Sequence, residues 1–417
     1  MLGRKSSSIK NKKDCNGIEL NFPNRIIFDK VKFYGFPVGK KGPNINIPKY
    51  LYDKKLVKYD CIASIAHAKM LGRMGHLEKN EALKLIKGLE EIIKLDEKEK
   101  FEIKKEDEDC HTAIENHLVK KLGNIGKKIH FARSRNDQVL TALRLYEKDE
   151  ISKVKEKITA LTGNIYFFAK KYRSIEFPGY THTRKAMPSS IELWADSFAE
   201  SMADNIKSIN SVLDLINQSP LGTGAGYGLP VKVEREYTAK LLGFKKIQQN
   251  PIYCQNSRGK FESTILNSLS QIMYDLNKIS SDIILFSTPE IGYFELSEKI
   301  CTGSSIMPHK RNPDVLELVR ANYNVVNSYE FQVKNISTNL ISCYNRDIQM
   351  TKEPLIKGFD ITKKSISVMS VVFDNLHVNK EKCKKAITKE LYSVEEAYNL
   401  AKKMAFRDAY KEISKKY

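Results

Sequence analysis

The chain lacks the features that mark several large protein classes. It has no uninterrupted run of about 18 apolar residues, so no helix of the bilayer-spanning kind is encoded. Thirteen Pro and 21 Gly in 417 residues are too few for a fibrous or low-complexity chain. The seven Cys (15, 61, 110, 254, 301, 343 and 383) are scattered, odd in number and without a C-x-x-C pair. This argues against a disulfide framework or a zinc module, and for reduced thiols in a cytoplasmic compartment. The eight His include no H-E-x-x-H, and His111 and His117, six apart, do not share a helical face. No metal site is legible and no cofactor is expected. The start, MLGRKSSSIKNKKDCNG, lacks the apolar core of a secretory signal. It reads as a solvated basic tail in preference to an organellar address.

What is present is an ordinary globular composition, 41% hydrophobic and 29% charged, on a chain long enough for two or three domains. Lys and Arg total 70 against 50 Asp and Glu, a formal charge of +20. The lysines are spread over the whole chain, with no nucleic-acid-binding motif and no basic patch interleaved with aromatics. The expected consequence is a positive surface that attracts small anions such as carboxylates, with neither nucleic acid nor membrane as partner.

Apolar residues in the middle of the chain recur every three or four positions over long stretches, the stripe of a half-buried helix. One runs through Ile151, Val154, Ile158, Leu161, Ile165 and Phe168, and another through Trp194, Phe198, Met202, Ile206, Ile209, Leu213 and Ile216. A third takes in Phe261, Ile265, Leu269, Ile272, Leu276, Ile279, Ile283 and Phe286; a fourth Val319, Tyr323, Val326, Val333, Ile336 and Leu340. Stretches of about 25–30 residues exceed the mean globular helix of about 12. They predict an all-α fold built on a bundle of long helices, one shared between subunits. The expected division is an N-terminal domain with an irregular basic start (1–132), a central long-helix domain (133–378) and a short helical C-terminal domain (379–417).

Between the long stretches lie segments with the composition of loops. In TGSSIMPHKRNPDVLE (302–317), Ser304 and Ser305 follow Gly303, and Lys310 and Asn312 precede Pro313 at the start of a helix. A helix N-terminus and a lysine together favour an anion, and a serine in that field loses its proton more readily. PGYTHTRKAMP (178–188) places Thr181 and His182 in a loop before a long helix, where His is suited to acid–base work. EDEDCHTAIENHL (106–118) carries His111 at a helix start with acids before it. In ARSRNDQ (132–138), Arg133, Ser134, Arg135 and Asn136 form a dense donor cluster suited to a carboxylate. Taken singly, these also read as a capping turn, a solvated histidine, a helix start and a surface ion-pair network. The glycines of SPLGTGAGYGLP (219–230) follow a helix and no strand, which excludes a dinucleotide loop.

Together these segments resemble the fumarase/aspartase superfamily. GSSIMPHKRN is similar to its G-S-S-x-M-P-x-K-x-N loop. EDEDCHTAIENHL, RSRNDQ, PGYTH, SPLGTGAGYGLP, YNRDIQMTKEP (344–354) and AFRDAY (405–410) resemble the argininosuccinate lyase family within it, from KYDCIASIAHAKML (58–71) to the C-terminus. The resemblance implies a three-domain, mostly helical protomer, a homotetramer whose core is made by the long helices, and active sites assembled from several subunits. It implies reversible cleavage of argininosuccinate to arginine and fumarate, the last step of arginine biosynthesis. On the match, Ser304 is the base, His182 with Glu317 the acid-side group, and Lys310 with Asn312 the anion-stabilising donors. Substrate contacts fall to His111, Ser134, Arg135, Asn136, Thr181, Asn312, Tyr344, Gln349 and Lys352, with Tyr344 and Gln349 at the arginine end. Two departures stand out: Phe131 and Ala132 replace the family's Thr-Gly, and Thr183–Arg184 replaces its [Leu/Met]-Gln. The competing readings are an adenylosuccinate lyase or aspartase type, or a non-catalytic crystallin-like member.

Overall fold

The computed structural model of the protein describes residues 52–417; the basic tail, Cys15 and the GKKGPNINIP breaker lie outside the described residues. The described chain opens with α1 (Val57–Arg73) and α2 (Lys79–Glu97), packed on each other so closely that a Cβ on Gly72 would lie 3.1 Å from Ala82. Next comes α3 (Cys110–Leu122), whose N-cap Asp109 accepts the Thr112 amide at 2.8 Å. This satisfies one of the donors that a helix start leaves open.

Helix α4 (Arg135–Lys171) has 37 residues and is about 55 Å long at the helical rise. It begins well before the Ile151–Phe168 stripe, because Ser134 and Asp137 form a reciprocal capping box. All six residues of that stripe are buried. A hairpin follows, β1 (Glu176–Thr181) antiparallel to β2 (Arg184–Ser190). It replaces the loop expected there, with a register shift between Pro178 and Tyr180 where the prolines interrupt the ladder.

Helix α5 (Ile191–Ile216) leaves β2 directly, capped by Ser190 Oγ, which accepts the Leu193 amide at 3.0 Å. Its most buried line is Ala195, Ala199, Met202, Ile209, Val212 and Ile216, while Trp194, Phe198, Ile206 and Leu213 pack along its flank. In its first half the small Ala195 and Ala199 thus face the centre, while the bulky Trp194 and Phe198 fill the shoulder. Helix α6 (Lys260–Phe286) is the axis of the core, and its entire predicted stripe from Phe261 to Phe286 is buried. At about 1.5–3 kcal/mol per enclosed side chain, this helix is a major source of stability. Helix α7 (Asp314–Ile336) ends before Leu340, four residues short of the predicted stripe. Helix α8 (Lys352–Asp374) completes the set; Pro354 and Gly358 obscure its pattern in the sequence.

Hydrogen bonds between helices fix their directions. Lys148 of α4 reaches Asn217 just past the end of α5, and Asn205 and Trp194 of α5 reach Asp275 and Asp282 of α6. Asn267 and Asn277 of α6 reach Glu330 and the Arg320 carbonyl of α7. Successive helices α4 to α7 therefore alternate in direction. Helix α8 runs parallel to α4, since Lys363 pairs with Glu150, Ser367 with Lys157 and Asp374 with Asn164. The bundle consequently has two ends about 40 Å apart, the length of α6. Residues 52–134, 217–259 and 337–351 gather at the first end. The hairpin, residues 287–313 and the C-terminal segment with α9 (Ser393–Ala401) and α10 (Phe406–Ser414) gather at the second.

Candidate active site

At the first end, a buried polar cluster forms where α1, α3 and the start of α4 meet. Asp60 of α1 accepts Nδ1–H of His111 at 3.0 Å and the Gln138 amide at 2.9 and 3.0 Å. Burial pushes the Asp60 carboxyl up, but His111 above all, then Arg133 and Gln138, outweigh it and hold it down at about 2. Arg133, itself buried, donates to Ser64 Oγ at 2.7 Å. His111 Nε2, Gln138 Oε1 and Arg133 Nε are enclosed and have no hydrogen-bond partner among the described residues. An enclosed polar atom left unpaired costs about 1–3 kcal/mol, so such a cluster marks a site that a polar ligand can complete.

The turn Ser134–Asn136 lies beside this cluster. Ser134 Oγ accepts the Asn136 amide at 3.0 Å, and Arg135 donates to Asp109 Oδ1 at 2.6 Å and Thr112 Oγ1 at 2.9 Å. Arg135 is thus anchored to the α3 cap. Across the same end, Gln349 donates to the Tyr344 hydroxyl at 2.5 Å, and buried Lys352 is paired with buried Asp53. Burial lowers the guanidinium pKa of Arg258 nearby, against the opposing pull of Glu262 and Asp53. The structure therefore collects His111, Ser134, Arg135, Asn136, Tyr344, Gln349 and Lys352 at one end of the bundle. The sequence reading missed Asp53, Asp60, Gln138 and Arg258. Asp60, Arg133 and Gln138 stand inside matched motifs, but their pairing across 50 to 80 positions has no local signal.

The second end holds the rest. The ladder pairs Thr181 with Arg184, so His182 and Thr183 form a two-residue turn at the hairpin tip, with φ of 52° and 57°. Those left-handed angles match the primed turn that a twisted hairpin requires. Thr181, His182 and Arg184 are all exposed. The segment after Cys301 is closed by paired amides: Thr302 N–H donates to the Asn312 carbonyl at 3.0 Å and Asn312 N–H to the Thr302 carbonyl at 2.8 Å. Within that closed loop, Ser304 Oγ accepts the Ile306 amide at 3.3 Å and the Met307 amide at 3.1 Å. Two amide donors aimed at one hydroxyl oxygen favour its deprotonated form.

Lys310, Asn312 and Glu317 line one cavity of about 480 Å³, together with Glu295, Arg311 and Lys382. Glu317 lies in the first turn of α7. Among the described residues no hydrogen bond or ion pair joins His182 to Glu317. The candidate groups thus fall into two sets separated by the length of the bundle, and one chain does not bring them to one small molecule. Among the described residues, no group of three or more His, Cys, Asp or Glu is arranged to hold a metal ion.

The sequence profile of the family described as Lyase matches residues 46–327. The argininosuccinate lyase of Thermotoga neapolitana is 52% identical over 369 residues, covering 88% of this chain and 93% of that one. The argininosuccinate lyase of Phocaeicola vulgatus is 38% identical over 362 residues, 87% of this chain and 81% of that one. Among solved structures, the class II fumarase of Schistosoma mansoni superposes with a TM-score of 0.77 at 17% identity, over 87% of this chain and 84% of that chain. An EDDS lyase variant with bound fumarate gives 0.77 at 22% identity, over 87% and 71%. At these identities the structural likeness concerns the fold.

Proposed function

The chain belongs to the lyase family, and from that premise we propose that it splits argininosuccinate reversibly into arginine and fumarate, using a site completed by several subunits. The reaction is a β-elimination. A base removes a proton from the carbon next to a carboxylate, the electron pair spreads onto that carboxylate, and the C–N bond breaks as the leaving guanidinium nitrogen takes a proton. The obstacle is the weak acidity of a carbon acid, so the doubly charged carboxylate must be stabilised where it forms.

Ser304 is the base in this reading, its oxygen already receiving two backbone amides. Lys310 and Asn312, beside the start of α7, face the developing charge with a cation and a helix N-terminus. His182, with Glu317 from another protomer to orient it, serves on the acid side. From a further protomer come the substrate contacts of the first end: His111, Ser134, Arg135, Asn136 and Lys352, with Tyr344 and Gln349 holding the arginine half. Thr181 contributes from the hairpin.

One observation carries the shared site. The two sets of residues lie at opposite ends of helices about 40 Å long, so they meet only when another copy runs alongside. The long helices also expose Leu193 (66%), Leu318 (65%) and Phe331 (70%), apolar surface that a homotetramer would cover. Residues 52–132 and 379–417 then act as domains at the two ends of the bundle. Cytoplasmic placement rests on the buried, unpaired thiols of Cys61, Cys110, Cys254 and Cys383.

The test is release of fumarate, followed by ultraviolet absorbance, from argininosuccinate, adenylosuccinate and aspartate in parallel. Turnover of argininosuccinate alone is expected, and would show that Phe131 and Arg184 are compatible with the chemistry. Turnover of another of the three, or of none by a folded oligomer, would overturn the reading.

A further inference from the structure

We propose that Asp137 is a positioning residue that sets the spacing between the two halves of the substrate-binding end, the Ser134–Asn136 turn and Tyr344; this rests on the functional reading above. An aspartate at the third position of a helix is ordinarily a local cap, using one oxygen at the surface. Asp137 is different on both counts. It is fully buried, and its carboxylate accepts three backbone amides, one from its own cap and two from a distant loop. Oδ1 takes the Ser134 amide at 3.0 Å, closing the cap. Oδ2 takes the amides of Gly222 and Gly224, each at 2.9 Å, from the loop more than 80 positions along the chain.

That loop leads directly to the other half of the site. Gly224 has φ of 62°, and a Cβ there would sit 2.8 Å from the Gly228 carbonyl, so the turn holding its amide toward Asp137 suits glycine alone. The next residue, Ala225, offers its carbonyl to Cys343 Sγ at 3.6 Å. Gly226 lies so close to Cys343 that an added Cβ would come 2.0 Å from its Sγ. Cys343 is further pinned by its amide, which donates to Asn256 Oδ1 at 2.6 Å, and it adopts a left-handed φ of 81°. Its neighbour is Tyr344, whose hydroxyl accepts from Gln349. A continuous line of contacts thus runs from Ser134 through Asp137, the glycine loop and Cys343 to Tyr344.

The energetics agree with a role beyond capping. Burial pushes the Asp137 carboxyl up to about 6, although the Gly224, Ser134 and Gly222 amides and Arg133 pull it down. A cap alone would not require burying a charge at that cost.

The test combines amide hydrogen exchange with kinetics on the intact oligomer. In Asp137→Asn one carboxylate oxygen becomes an NH2 group, which confronts an amide donor whichever way it turns. Exchange is expected to quicken at 220–228 and 341–349 as well as at 134–137, and KM for argininosuccinate to rise about tenfold, with kcat within about threefold. Ser134→Ala, which removes the other half of the cap, is expected to quicken exchange at 134–137 alone. Quickening confined to 134–137 in Asp137→Asn, or a fall in kcat with KM unchanged, would overturn the proposal. Should Asp137→Asn not fold, Cys343→Ala tests the far end of the line, with faster exchange at 220–228 and a raised KM expected and an unchanged KM overturning it. Absence of argininosuccinate turnover by the wild type would defeat the functional reading, while the exchange measurement would still decide the coupling.

Discussion

His111 donates Nδ1–H to Asp60 across 3.0 Å, with both side chains completely enclosed, and this leaves Nε2 as the ring's available atom. The carboxylate fixes the tautomer, so what the histidine presents to a ligand is decided by a residue 51 positions earlier. Asp60→Asn retains the shape and removes the charge. The expected outcome is a loss of about 3 kcal/mol or more in unfolding free energy, because Arg133 loses the stronger of the two buried carboxylates beside it, Asp60, and keeps only Asp137. KM for argininosuccinate should rise with it. An unchanged KM in a stably folded variant would remove His111 from the binding set.

Ser304→Ala is expected to abolish fumarate release while leaving a folded oligomer, and His182→Asn to lower it strongly, about a hundredfold or more. Because the two residues are assigned to different protomers at any one site, mixed oligomers should contain some sites with both intact. Unfolding and reassembling the two inactive variants together should therefore restore part of the activity. No recovery in mixed oligomers verified by mass spectrometry would count against the shared arrangement.

The pH dependence of stability has a local source in His67. Its Nε2–H donates to the Phe131 carbonyl at 2.8 Å, and burial, reinforced by the Arg133 charge, lowers its pKa from 6.5 to about 3. The folded chain therefore refuses a proton that the unfolded chain accepts below 6.5. Stability is complete above that value and is lost as the pH falls toward 3. Between about pH 7.5 and about pH 5 the expected loss from this residue is about 2 kcal/mol. His67→Gln, which can still donate to the carbonyl but does not titrate, should flatten that part of the profile in urea unfolding. Identical profiles for the two proteins would refute the assignment.

Leu318 and Phe331 are placed on α7 with most of their surface exposed. Replacing both with Lys should leave the helical content of the protomer intact and shift the oligomer toward smaller species in sedimentation velocity. Activity should fall in step with the loss of oligomer. A double variant that sediments like the unaltered protein would place the interface elsewhere.

The legibility of the fold in the sequence followed the chemistry of each segment. The α6 stripe was readable because eight apolar residues keep a helical interval without interruption, and all are buried. Pro354 and Gly358 hide helix α8; the glycine gives room to Leu266, whose Cδ2 would lie 2.5 Å from a Cβ added there. The hairpin has the sequence of a loop because Pro178, Gly179 and Pro188 disguise its strands and its turn is His182–Thr183, without the usual glycine. The motifs pointed to the residues of the candidate site. Their sorting into two ends was legible only in outline, since it depends on helix directions that hydrogen bonds such as Asn205 to Asp275 set in three dimensions. The pairings of Asp60 with His111 and of Asp53 with Lys352 have no local signal, because they join positions 51 and 299 residues apart.

The paired amides of Thr302 and Asn312 join the two ends of the segment that carries both Ser304 and Lys310. A strip fastened in this way has its two ends fixed side by side, which lowers the entropy of the loop between them. On the proposed chemistry, Ser304 and Lys310 therefore reach any one site on the same short loop of the same protomer. The base and the charge that stabilises its product are supplied together or not at all.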